Sequence, residues 1–201
     1  MSLVYWLGNI LYLNITNRCH NKCYFCIRNF VDGIGGFKLR LKKEPSLTEI
    51  IKALEDSINL RIWDEIVFCG FGEPTERLDC LIQVSKWIKR YFAYPIRLDT
   101  NGQAYLLYPE IDVVEELKKA GVTKISVSLN AHSKETYLKV CRPTLKNVYS
   151  YILEFIRDSA NILETEVTAV DLPEVNLHKV KEIAERLGAT FRKRSYYFPA
   201  I

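Results

Sequence analysis

Two hydrophobic rhythms alternate along the chain. Short apolar runs rich in β-branched and aromatic residues predict strands at "NILYLNIT" (9–16), "DEIVFCGFGEPT" (64–75, running into a glycine-rich turn), "PIRLDTNGQ" (95–103, ending in a turn), "TKISVSLNA" (123–131), "TEVTAVDLP" (165–173) and "ATFRKRSYY" (189–197). Between them, apolar residues recur at helical spacing over 46–60, 77–92, 111–121, 133–141, 145–160 and 176–188. The first helix opens on Ser46 with Glu49 three residues on, the spacing of a capping box, and Gly121 stands where a helix ends. Six strand–helix units of about 33 residues each predict a parallel sheet with right-handed crossovers. A closed eightfold barrel typically takes ~250 residues. The expected fold is therefore an α/β partial (β/α)6 TIM-like barrel, one domain over 1–201, with an open doubly wound sheet as the structural alternative.

In such folds chemistry gathers at the C-terminal ends of the strands. Polar or glycine-bearing segments fall at five of those ends: a cysteine loop after strand one, then "GFGEP", "DTNG", "SLNA" and "VDLP". Each alone is an ordinary turn signal. Together they predict a site on one rim.

Composition narrows the class without naming it. The 201 residues carry 28 basic and 24 acidic side chains, a formal charge of +4, too mild to require a nucleic-acid partner, though nucleic acid stays possible. No apolar run approaches the roughly 20 residues of a membrane span, and the first 16 residues lack the basic start of a signal peptide and look like the first strand, so a cytoplasmic protein is expected. Six cysteines in such a chain point to metal ligands before disulfides. Cys69, Cys80 and Cys141 are scattered and read as small buried residues; His20, His132 and His178 are not spaced as a metal set. The basic runs "KLRLKK" (38–43) and "FRKRSYY" (191–197) alternate and read as solvated faces, unless they meet at the barrel mouth and receive an anion. "DGIGG" (32–36) reads as a mobile segment able to fold over a substrate.

The chemistry-bearing stretch is "TNRCHNKCYFCIRN" (16–29), with Cys19, Cys23 and Cys26 at spacings of three and two intervening residues. Closed structural zinc sites and ordinary ferredoxin clusters take four protein ligands. His20 adjoins Cys19 and is awkwardly placed as a fourth; Cys69 at the end of strand two is a possible one. Three thiolates on a short loop fit best with a cubane cluster that leaves one iron open, and an open position is what makes a metal site catalytic.

This loop, with Phe25 just before its last cysteine, resembles the signature of the radical S-adenosylmethionine (SAM) enzymes, and the likeness extends over nearly the whole chain. The resemblance implies that Cys19, Cys23 and Cys26 bind a [4Fe-4S] cluster whose fourth iron takes SAM. An electron then cleaves SAM to methionine and a 5′-deoxyadenosyl radical that removes a hydrogen atom from a substrate. It implies that Gly72 and Glu73 in "GFGEPT" bind the SAM amino group, with Phe71 where the family has a glycine. Asp99, Thr100 and Asn101 would face SAM or a cation, Ser128 and Asn130 would reach the ribose, and Arg142 would pair with the SAM carboxylate. Thr168, Val170 or Asp171 would lie near the adenine or the substrate. An electron donor such as flavodoxin or ferredoxin is implied. Within the superfamily, "YWLGNILYLNITNRC", "FCGFGEPTERLD" and "LDTNGQ" look most like a small subfamily associated with TatD nucleases, while the compact size is also similar to glycyl-radical activating enzymes and 7-carboxy-7-deazaguanine synthase. A non-catalytic iron–sulfur or zinc module is the reading from another class.

Overall fold

The protein is described here by a computed structural model covering residues 1–197. The chain starts with a hairpin instead of the single strand expected over its first 16 residues. Strand β1 (Val4–Leu7) turns back at Gly8, which has a φ of 58°, and pairs antiparallel with β2 (Ile10–Leu13). A two-residue turn with glycine in its first central position suits the twist of paired strands. A short hairpin follows, β3 (Gly33–Ile34) with β4 (Phe37–Lys38). The remaining elements alternate: α1 (Leu47–Ile58), β5 (Glu65–Phe68), α2 (Leu78–Tyr91), β6 (Ile96–Thr100), α3 (Ala104–Leu107), α4 (Val113–Lys119), β7 (Lys124–Ser128), α5 (Lys134–Cys141), α6 (Val148–Ile162), β8 (Glu164–Val170), α7 (Leu177–Arg186) and β9 (Thr190–Arg194).

The strands form one sheet in the order β1-β2-β5-β6-β7-β8-β9, and every pairing after the first is parallel. Spatial order follows chain order throughout. A doubly wound sheet needs a reversal of that order; here there is none, so the six parallel strands form an open, partial barrel with an antiparallel strand added at one edge.

The two faces of the sheet differ in chemistry because alternate residues point to opposite sides. Leu11, Leu13, Ile66, Leu98, Val127 and Val167 are buried and pack against helix residues such as Ile50, Leu54, Leu81, Leu117, Ile152 and Phe155. In α1 the buried residues Ile50, Leu54 and Ile58 fall four apart on one stripe, and the helix starts with the expected reciprocal cap: Ser46 Oγ accepts from Glu49 N at 3.2 Å while Glu49 Oε2 accepts from Ser46 N at 2.7 Å. Replacing a fully buried leucine of this layer, such as Leu54, by alanine would cost about 2–5 kcal/mol.

The inner face is polar. It carries Glu65, Arg97, Asp99, Lys124, Ser126, Glu166 and Arg192. Arg97, 8% exposed, bridges Glu65 at 3.1 Å and Asp99 at 3.3 Å. Arg192 forms a two-point pair with Glu166, both contacts at 2.9 Å, and Ser126 Oγ donates to Glu166 at 3.0 Å. In a closed barrel this lining would be branched aliphatic side chains; ion pairs there keep the inside of an open barrel hydrated and receptive to polar molecules.

Candidate active site

The cysteine loop follows β2 at the C-terminal rim, and the chain anchors it from three directions. Arg28 is the central clamp. Its Nη1 donates to the carbonyls of Asn17 (3.1 Å) and Phe71 (3.2 Å), and its Nη2 to that of Asn21 (3.3 Å). Asn29 Nδ2 donates to Cys23 O at 3.0 Å. The end of α5 holds the far side, where Lys22 N donates to Cys141 O (3.0 Å) and Tyr24 N to Val140 O (3.4 Å), filling carbonyls that a helix end leaves without partners. Beneath the loop lies a buried polar network: Gln103 Nε2 donates to Asn21 Oδ1 (2.7 Å) and to the Tyr137 hydroxyl (2.9 Å), which also accepts from Asn21 Nδ2.

All six cysteines are free thiols. Asn21 N donates to Cys19 Sγ at 3.4 Å and Asn101 Nδ2 approaches the same sulfur at 3.8 Å. Burial pushes the Cys19 thiol up to about 12 and also raises Cys26, while a hydrogen bond from the Cys141 thiol holds Cys23 below the ordinary thiol range. Three thiols facing amide donors, with the Arg28 charge close by, are a donor set suited to iron–sulfur ligation. Among the described residues no three His, Cys, Asp or Glu side chains converge as ligands of one ion. A single ion needs such convergence; a cubane takes one thiolate per iron.

The "GFGEPT" segment packs directly on this loop, and its glycines have steric reasons. A Cβ on Gly70 would stand 2.1 Å from Asn14 Oδ1, and one on Gly72 would stand 2.4 Å from Thr16 O and 2.7 Å from Arg18 O. Phe71 turns its ring into a second apolar cluster with Tyr5 and Leu39, so a side chain is accommodated where the family has glycine. Glu73 is 4% exposed. Its Oε1 accepts from Thr75 N (3.1 Å), Thr75 Oγ (2.8 Å) and Thr100 Oγ (2.7 Å), and its Oε2 from Asn101 N (2.6 Å). Burial raises the Glu73 carboxyl above its ordinary range, and these four donors work against that. The side chain thus locks the ends of β5 and β6 together beside Cys19.

The β7–β9 side of the rim is built differently. Asn130 sits at a φ of 54°, a left-handed conformation uncommon for a residue with a Cβ. There its Oδ1 accepts from Val170 N (3.2 Å) and from Arg194 Nη2 (3.0 Å), and the same Arg194 nitrogen lies 3.3 Å from Ser128 Oγ. Ser128, Asn130 and Val170 are therefore brought together, as Glu73, Thr100, Asn101 and Cys19 are on the opposite side.

Other predicted residues lie elsewhere. Phe25 is buried in the main core against Tyr24. Asp99 lies on the inner face with Arg97 and accepts a hydrogen bond from the Cys69 thiol; burial raises both groups. Arg142 is exposed, caps α5 at a φ of 47°, and lays its guanidinium over the Tyr24 ring at 5.6 Å. Asp171 is exposed and ion-pairs with Lys193 at 3.2 Å. The three histidines contact Thr144, Asn176 and Glu182 separately. The "DGIGG" segment pairs as a hairpin, with Ile34 and Phe37 packed against the Tyr5 cluster. Leu39 and Leu41 are buried as alternation predicts, but the two basic runs stand at opposite edges of the sheet: Ser2 N bonds Lys38 O beside β1, while 190–194 is β9. Over 191–197 Arg192 and Lys193 are exposed, as a solvated face predicts, while Arg194 is partly buried and turns to Ser128 and Asn130. Arg28 and Arg194 were not foreseen as functional; the signal available for Arg28 was only its place two residues after Cys26.

The protein is thus an open α/β barrel that carries its thiol loop and polar strand ends on one rim. The chain belongs to the Radical SAM superfamily, whose profile matches residues 13–187. It is an enzyme, and the cofactors used by that superfamily, a [4Fe-4S] cluster and SAM, are its cofactors. Proteins named probable GTP 3′,8-cyclase from Saccharolobus solfataricus and Saccharolobus islandicus are 29% and 30% identical to it over 152 residues, covering 76% of this chain and 44% of theirs. One of the same name from Thermoplasma volcanium is 28% identical, covering 87% of this chain and 49% of its own. The chain thus spans less than half the length of these relatives. Crystal structures of Streptococcus suis SuiB bound to S-adenosylmethionine (TM-score 0.71, 14% identity, 96% of this chain and 41% of that one) and of methylornithine synthase, PylB (0.61, 12%, 92% and 52%), share the fold. The narrower likeness to the TatD-associated subfamily gains no support from these relatives. No helix among the described residues is long and apolar enough to cross a membrane.

Proposed function

We propose that Cys19, Cys23 and Cys26 hold the [4Fe-4S] cluster and that the rim between Glu73 and Asn130 holds SAM, so that the enzyme removes a hydrogen atom from a small polar substrate lying over the inner face. The observation that carries this reading is the meeting, at Cys19, of the cysteine loop with the Glu73–Thr100–Asn101 lock. Bound there, the cofactors supply one chemistry: an electron from the reduced cluster cleaves SAM to methionine and a 5′-deoxyadenosyl radical. The chain does the rest. Arg28 and Asn29 fix the loop carbonyls, Asn21 N and Asn101 Nδ2 direct hydrogens at the Cys19 sulfur, and Asn130 with Ser128 presents polar atoms on the other side of the rim. Low-potential reduction is expected to come from a flavodoxin- or ferredoxin-type donor.

Relatives named GTP 3′,8-cyclase support a purine nucleotide as substrate, a small molecule as in the deazaguanine-type alternative and unlike the protein substrate of an activating enzyme. Anaerobic reconstitution with iron and sulfide, followed by SAM and dithionite, is expected to yield 5′-deoxyadenosine, and GTP is expected to raise that yield. Protein that takes up zinc but no iron–sulfur cluster, or that leaves SAM intact, would overturn the enzyme reading; a yield indifferent to GTP would overturn the nucleotide.

A further inference from the structure

The inner face holds four cations with described partners. Three are matched by carboxylates: Lys124 with Glu164 at 2.7 Å, Arg97 with Glu65 and Asp99 at 3.1 and 3.3 Å, and Arg192 with Glu166 at 2.9 Å. Arg194 is the exception. Among the described residues it makes no ion pair with a carboxylate. Its Nη2 is held by two neutral oxygens, Asn130 Oδ1 at 3.0 Å and Ser128 Oγ at 3.3 Å, and its Nε is buried with no hydrogen-bond partner.

Leaving a buried guanidinium N–H unpaired is costly and calls for an explanation, of which a bound ion is one; Arg97 Nε is also without a partner, but that guanidinium is matched by two carboxylates. The surroundings fit an anion. Desolvation lowers the Arg194 pKa, and Asp99, the largest opposing influence, acts without an ion pair. The fork itself is aimed, not loose. Asn130 adopts its left-handed backbone and uses one oxygen both to close the β8 end through Val170 N and to fix Nη2. With Nη2 donating to the Asn130 and Ser128 oxygens, the donors left are Nε–H and the Nη1 hydrogens, each able to take one oxygen of a carboxylate or phosphate. Its Ser128 and Asn130 partners stand at and just beyond the C-terminal end of β7, on the same rim as the cysteine loop, and Cys23 and Cys69 are among the groups its charge acts on.

We propose that Arg194, held by Asn130 and Ser128, is the receptor for an oxyanion of the substrate, a phosphate or carboxylate, and selects anionic substrates for the barrel. This rests on the reading of the rim as the SAM and substrate site. SAM also carries a carboxylate, and the test separates the two sources.

Calorimetry on the reconstituted protein with SAM present, using inorganic phosphate and pyrophosphate as probes, is expected to show pyrophosphate binding that weakens with rising salt. Arg194→Gln should weaken it at least about tenfold, while iron content and SAM affinity stay within about twofold of the parent. Arg194→Lys, which keeps the charge and guards against a folding artefact, should bind between the two. Lys193→Gln removes the same charge from the other face, where Lys193 pairs with Asp171, and should change nothing. Equal pyrophosphate affinity in parent and Arg194→Gln would overturn the proposal. So would a tenfold loss of SAM affinity with pyrophosphate unaffected, which would make Arg194 the receptor for the SAM carboxylate. Failure to form 5′-deoxyadenosine in the parent would instead strike the cofactor reading, and the anion measurement reports independently of it.

Discussion

The two sides of the rim solve opposite problems. At the β5–β6 side, a buried carboxylate meets four hydrogen-bond donors, and two glycines let backbone segments approach closer than any side chain would allow. At the β7–β9 side, a guanidinium keeps a buried donor unmatched, and an asparagine pays with backbone strain to aim it. The first side saturates its buried carboxylate from within the chain and acts as scaffold. The second, on the proposal above, is completed by a ligand. Perturbing the former should cost assembly or stability, and perturbing the latter should cost binding first.

The largest expected effect tests the assembly side. Cys23→Ala should reduce iron and sulfide after reconstitution to background and abolish 5′-deoxyadenosine, whereas Cys80→Ala, at a buried site between α2 and the core, should retain the full cluster. Loss of the cluster in Cys80→Ala would show that cysteines outside the loop take part. Next comes Gly72→Ala. With a new Cβ 2.4 Å from Thr16 O, the start of the cysteine loop must move, and cluster occupancy should fall several-fold while thermal unfolding drops by only a few degrees. Retained occupancy would mean that the close approach is dispensable.

The Glu73 lock gives a smaller effect with a defined sign. Its carboxyl is raised by burial, so its contribution to stability is fully present below the ordinary carboxyl range and is lost as pH rises through the raised value. Glu73→Gln leaves donors of Thr75, Thr100 or Asn101 facing an amide, at a cost of about 1–3 kcal/mol. That deficit, read from urea unfolding, should narrow as pH rises from 4; a deficit that widens would show a carboxylate stabilised by its donors more than it is penalised by burial. Glu49 is the counterpart with the opposite sign. Its hydrogen bonds from Ser46 hold it at about 2, so the support it gives α1 is present above its ordinary value and lost as pH falls toward 2. This is the smallest effect, visible as a modest extra loss of helical signal at low pH that Glu49→Gln abolishes.

Much of the scaffold was legible because it rests on periodicity. The Ser46–Glu49 cap, the Gly121 stop and the six parallel strands all follow from local spacing, and so does the strand-end position of the cysteine loop. What stayed hidden depends on contacts between distant segments. The Gly8–Asn9 turn is short enough to disappear inside one apolar run. Arg28 and Arg194 each belong to ordinary basic stretches, and only the fold shows that one gathers three carbonyls and the other lacks a carboxylate. The donors that meet at Glu73 come from Thr75, Thr100 and Asn101, a convergence visible only once β6 lies beside β5.

Strand β9 has one described neighbour, β8, so the amides and carbonyls along its other side form an open edge of the sheet. Such edges invite pairing with another molecule, and consecutive charges are a known defence. The run Arg192–Lys193–Arg194 therefore discourages self-association. A variant stripped of these charges would be at risk of aggregating by strand-to-strand stacking before any loss of catalysis could be measured.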